Sequence, residues 1–152
     1  MSQTATINPR IIEALYSEAL VLSDEVRAAF MLSGGIESAG LEDDLGRIAL
    51  SCEALRTTTR MMHAIAWLLN HRAYFMGDLS EFQLRRHGKL ASDVTAGEPE
   101  RLALLKPEIR DLIGVTERFY ARLLRLDDGW RHRDVDAPSA IARLRARLSS
   151  VS

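Results

Sequence analysis

LEDDLGRIALSCEALRTTTRMMHAIAWLLNHRAYFM, residues 41–76, places apolar or small side chains at Leu41, Leu45, Ile48, Cys52, Leu55, Thr59, Met62, Ala66, Leu69, Ala73 and Met76. Every interval is three or four residues, the period of one helix face. Its persistence predicts one long helix packed by that seam against other helices. A continuous helix here would run ~54 Å at 1.5 Å per residue, longer than a small domain is wide. Glu42, Asp43 and Asp44 suit the positive end of its dipole, and Gly77-Asp78 marks its stop.

The segments on either side repeat the pattern. Upstream, Asn8-Pro9 reads as an N-cap with proline at the first helical position. Ile12, Leu15, Ala19, Leu22, Val26 and Ala29 then form a stripe that ends at Ser33-Gly34-Gly35. Downstream, Ser80-Glu81-Phe82-Gln83 is a capping-box pattern, predicting a short helix to about His87 that Gly88 terminates. Residues 91–99 read as a surface loop. Leu105, Ile109, Leu112, Thr116, Phe119, Leu123 and Leu126 mark another long helix, with Pro107 near its start and a turn at Leu102 before it. Asp127-Asp128-Gly129 is expected to close it. The predicted fold is therefore all-α: three long helices in an antiparallel bundle plus a short helix, with a bundle domain over 1–129. Residues 130–152 are expected to form a C-terminal tail, flexible or with a short amphipathic helix, in which Ile141, Leu144 and Leu148 share a face.

Bulk properties fit that reading. A chain of 152 residues can bury a core without disulfides or metal. The aromatic fraction is only 6%, and period-two runs of β-branched residues are missing, which disfavours a sheet protein. The net charge of −1 argues against a general nucleic-acid binder. Charge is unevenly spread, however: residues 1–55 hold nine acidic and three basic groups, and the remainder twelve acidic and seventeen basic. Cys52 has no partner cysteine in the chain, and MSQTATINPR has neither a basic n-region nor an apolar h-region, so a reducing cytoplasm is expected. The richest apolar run, 64–69, is far too short to span a bilayer.

Enzymatic readings fail on spacing. A di-iron helical bundle needs Glu-x-x-His, but the residues three before His63, His71 and His87 are Arg60, Leu68 and Leu84. No zinc-protease, phosphate-loop, dinucleotide or calcium-loop pattern occurs. His63 and His71 are eight residues apart, ~80° around a helix, so they read as structural histidines with hydrogen-bond partners rather than shared ligands. Neither a catalytic group nor a cofactor or metal site is expected.

The remaining feature is breadth. Beside the seam, Met61, Ile65, Leu68 and Phe75 line a flank, with Trp67 and Tyr74 further round. A helix apolar on nearly every side must be covered on nearly every side. Either a second copy or another protein meets this flank, or the short helix, the tail and long arginine stems cover it. Two-fold dimers are the commonest assembly, so these six residues are the expected self-association or partner surface. Arg143, Arg145 and Arg147 in the tail are the expected partner contacts there. A DNA-associated regulator using the basic tail on phosphates is the alternative.

The run Glu53-Ala54-Leu55-Arg56-Thr57-Thr58-Thr59-Arg60-Met61-Met62, then Ala66-Trp67-Leu68-Leu69, His71-Arg72-Ala73 and Gly77-Asp78-Leu79-Ser80, resembles the family of the bacterial regulator of CtrA degradation, RcdA. The likeness is strong over 41–80 and weaker through the last long helix. It implies a small, dimeric three-helix bundle without catalytic activity. Such proteins act as cytoplasmic adaptors, concentrated at a cell pole, that help present the regulator CtrA and other substrates to the ClpXP protease with partner adaptors. The resemblance also implies a flexible tail, where the apolar face at 141–148 points instead to a helix.

Overall fold

A computed structural model describes residues 7–33, 41–93, 97–136 and 140–151, with backbone only for 41–43, 133–136 and 140–143. Every element among them is helical: α1 (Pro9–Ser33), α2 (Leu41–Met76), α3 (Glu81–His87), α4 (Pro99–Leu102), α5 (Pro107–Asp136) and α6 (Ala140–Ser149). The ends are set by local chemistry. The Asn8 side chain accepts from the backbone N–H of Ile11 at 2.9 Å, capping α1. Gly77, at φ +87°, ends α2 in a left-handed turn; its N–H reaches the Tyr74 carbonyl, and that of Asp78 reaches Ala73. The capping box of α3 closes in both directions, Gln83 N–H to Ser80 Oγ at 3.1 Å and Ser80 N–H to Gln83 Oε1 at 2.9 Å.

α1, α2 and α5 pack on one another. α1 buries the predicted stripe of Ile12, Leu15, Ala19, Leu22 and Val26. The main core joins the first four of these to Met61, Ala64, Trp67 and Leu68 of α2 and to Phe119, Tyr120 and Leu123 of α5. A smaller core, of Ala49 with Leu105, Ile109 and Ile113, fills the other end beneath Phe30.

Two expectations are overturned. The long seam of α2 is not its packing face: Leu45, Ile48, Leu55, Met62, Leu69 and Met76 are exposed, and Cys52 is half-buried. The side chain of Leu41 lies outside the described residues. The helix buries instead a face of mixed polarity that includes Ala49, Glu53, Thr57, Arg60, Ala64 and His71. The second correction concerns α5, which runs through Asp127-Asp128-Gly129 to Asp136. A helical glycine costs ~1 kcal/mol relative to alanine. Trp130 packing on the main core and Arg131 pairing with Asp127 at 3.2 Å outweigh it.

Candidate interaction surface

The buried polar groups of α2 explain which way the helix faces. Arg60, 3% exposed, donates from Nε to the Asp93 carboxylate at 2.9 and 3.1 Å and from Nη1 to Thr116 Oγ1 at 3.1 Å. Trp67 Nε1 donates to Asp127 Oδ1 at 3.0 Å. Asp127 also accepts from the Leu90 backbone and from Arg131 Nε, each at 3.2 Å, while Arg131 Nη1 reaches the carbonyl of Arg85 at 2.9 Å. Tyr120 donates its hydroxyl to the Ala91 carbonyl. Desolvation, helped by Asp93, pushes that phenol up to about 12 despite Arg60, so it stays a donor. The chain from Leu84 to Asp93 is thus strapped across α2 and α5 by polar anchors. Buried charges need such partners, so once they exist the polar face of α2 turns inward.

His71 completes this layer. It is fully buried, 4.2 Å from the Trp67 ring and 5.3 Å from Trp130, and neither ring nitrogen has a hydrogen-bond partner. Desolvation lowers its pKa to about 4, Asp127 opposing and Arg131 assisting, so it is neutral at pH 7. The expected hydrogen-bonded structural histidine is therefore an apolar-packed ring, while His63 lies on the surface. Glu53 is 2% exposed, and its Oε1 has no hydrogen-bond partner. Gly97 covers it so closely that an added Cβ would fall 2.2 Å from that oxygen.

With the polar face inside, the apolar seam faces out. From Leu45 to Met76 it runs ~46 Å along α2 at 1.5 Å per residue. Leu55, Met62 and Met76 are each more than 60% exposed. A cleft of about 380 Å³ between α1 and α2 adjoins it, floored by Val26, Phe30, Met61 and Ile65 and edged by Met31 and Met62. Single-copy proteins rarely leave so long a contiguous apolar surface in water.

The sequence-predicted surface residues fall elsewhere. Met61, Trp67 and Leu68 are 3%, 2% and 0% exposed within the chain's own core, so they cannot form a free self-association surface. Ile65, Tyr74 and Phe75 are half-buried, with Ile65 in the α1–α2 cleft and Phe75 against the main core. The flank is sealed by α1, α5 and Trp130 because the indole of Trp67 needs Asp127 as acceptor. In the tail, α6 exposes Arg145 and Arg147 together with Leu144 and Leu148; the side chain of Arg143 lies outside the described residues. Among the described residues no three His, Cys, Asp or Glu side chains converge as a metal site would require, and no helix is long and apolar enough to cross a membrane.

The chain belongs to the family described as "Protein of unknown function (DUF1465)", which matches residues 3–151. No curated protein and no solved structure matches it.

Proposed function

We propose that this DUF1465 chain is a non-enzymatic cytoplasmic adaptor in regulated proteolysis, acting as RcdA-type proteins do. In this reading α1, α2 and α5 form an antiparallel bundle and two copies join along the outward seam of α2. The dimer helps deliver a CtrA-like regulator and other substrates to ClpXP beside partner adaptors, at a cell pole. The observation that carries the reading is the exposed row of Leu45, Ile48, Leu55, Met62, Leu69 and Met76 on a helix whose other face is already buried by its own chain. Recognition fits such a surface, because tethering substrate and protease raises their effective concentration without any new chemistry. The acidic α1 region and the basic tail, with Arg143, Arg145 and Arg147, contact different partners.

Reconstituted degradation tests this. ClpXP, its partner adaptors and a CtrA-like substrate are mixed with and without the chain, and substrate loss is followed over time. Acceleration that saturates with the chain is expected, together with loss of acceleration for some substrates when the three tail arginines become glutamate. A degradation rate indifferent to the chain at every concentration overturns the adaptor reading. Equal delivery of every substrate by the tail variant overturns the division of labour.

A further inference from the structure

We infer that the cleft between α1 and α5 is a docking site for an acidic peptide segment of a partner protein. The inference rests on the adaptor reading and assigns one of its contacts. The cleft, about 340 Å³, is lined by Arg118, Arg122 and Arg125 of α5, with Glu18 of α1, over Phe119 and Val115. The three arginines follow at intervals of four and three, so they share one face of α5 and span ~10 Å along it. That face is opposite the one carrying Thr116, Tyr120 and Asp127, which packs on α2.

Each arginine is placed differently. Arg122 pairs with Glu18 and lies 5.4 Å over the Phe119 ring, which fixes its guanidinium at the centre. Arg118 lies back along α5 over Gly114, where an added Cβ would stand 3.2 Å from Nη1. The space left by that helical glycine is the space the guanidinium uses. Among the described residues, neither Arg118 nor Arg125 makes an ion pair or hydrogen bond. One carboxylate therefore answers three guanidinium groups in a defined concavity. Like charges three and four residues apart weaken a helix, so this clustering does not serve the stability of α5 itself.

The occupant follows from charge and shape. Guanidinium groups bind carboxylates through paired parallel hydrogen bonds, and the exposed Val115 beside them offers an aliphatic contact. A cleft of this size takes a few side chains, not a nucleic-acid backbone. None of the described residues lining the cleft belongs to α2, so a dimer joined through the α2 seam does not use them.

The probe is a fluorescein-labelled synthetic helix-forming peptide with glutamates at four- and three-residue intervals separated by leucines. Its lysine counterpart and a labelled DNA duplex serve as controls, and binding to the full chain is read by anisotropy at low salt. Saturable binding of the glutamate peptide is expected, weakening as salt rises. Arg118→Glu with Arg125→Glu is expected to weaken it at least ~10-fold, a loss of one decade, with helical content and oligomeric state unchanged. Arg118→Lys with Arg125→Lys is expected to retain part of it. No saturable binding, equal binding by the charge-reversed variant, or preference for the duplex overturns the assignment. If that variant still accelerates substrate degradation while the peptide no longer binds, the cleft is not a delivery contact and the adaptor reading survives. If the peptide binds but the wild-type chain accelerates nothing, the adaptor reading fails and the cleft stands.

Discussion

The indole N–H of Trp67 on α2 and the Asp127 carboxylate on α5 meet at 3.0 Å inside the core, 60 residues apart in the chain. The same carboxylate holds the Leu90 backbone and Arg131, so three separate segments depend on it. Asp127→Ala leaves a buried indole N–H, a buried backbone N–H and a largely buried guanidinium without their acceptor. The expected loss is about 3–5 kcal/mol, the usual cost of breaking a buried charged pair. Asp127→Asn keeps an acceptor for Trp67 and is expected to lose about 1–2 kcal/mol. Denaturant unfolding of the two variants beside the wild type measures both, and equal midpoints for all three would remove Asp127 from the account.

That pair also marks where sequence reading stops. The Asn8 cap, the Ser80 box, the Gly77 stop and the α1 stripe were legible because each is local, decided by residues within one or two turns. The orientation of α2 was not, because both of its faces repeat at three and four. The outward face carries leucine and methionine, whereas the inward face carries Thr57, Arg60 and His71 beside Ala64 and Trp67. Hydrophobicity alone selects the wrong face. What turns the helix is a set of partners 33, 56 and 60 residues distant, Asp93, Thr116 and Asp127. The same distant contacts carry α5 through Gly129, where the local signal says stop. The arginine cleft left a trace, the spacing of Arg118, Arg122 and Arg125, but charge at helical spacing ordinarily means a solvated face. Only the approach of Glu18 and Phe119 makes it concave.

Exposed and buried residues of α2 should respond oppositely. Leu55→Asp with Met62→Asp is expected to abolish association while preserving helical content. Wild-type unfolding midpoints should then rise with protein concentration and the variant's stay fixed, as mass action requires of a dimer. Trp67→Ala, by contrast, should cost about 3–5 kcal/mol at any concentration. Sedimentation and denaturation series at several concentrations separate the two. A wild type that remains single-copy at the highest of them removes the α2 seam as an association surface.

His71 gives stability a pH dependence with a defined sign. Its pKa falls from 6.5 to about 4 on folding because burial disfavours the charged ring. Between those values the unfolded chain binds more protons than the folded one, so stability drops as pH falls from 6.5 toward 4 and is fully present above 6.5. The contribution is about 3 kcal/mol at most, at ~1.4 kcal/mol per unit. His71→Leu, which keeps an apolar ring-sized filler between Trp67 and Trp130, should flatten that part of the profile. Midpoints collected from pH 4 to 7 for both proteins check it, and parallel profiles would assign the acid sensitivity to the carboxylates instead.

Gly77 is the residue whose backbone an ordinary side chain tolerates least. Its φ of +87° lets α2 end with the N–H groups of Gly77 and Asp78 satisfied at 3.1 and 2.9 Å, and that turn aims the chain at the Ser80 cap of α3. Nothing lies within 4 Å of a Cβ built there, so any penalty is conformational and not steric crowding by a neighbour. Gly77→Ala is therefore expected to cost about 1–2 kcal/mol, and Gly77→Asn distinctly less, since asparagine tolerates the left-handed region. The loss should appear as faster hydrogen exchange at the Gly77 and Asp78 amides and through α3, with α1 and the Ala49–Ile113 core unaffected. Uniform acceleration across the whole chain would mean that this turn is coupled to global unfolding rather than to the placement of α3 alone.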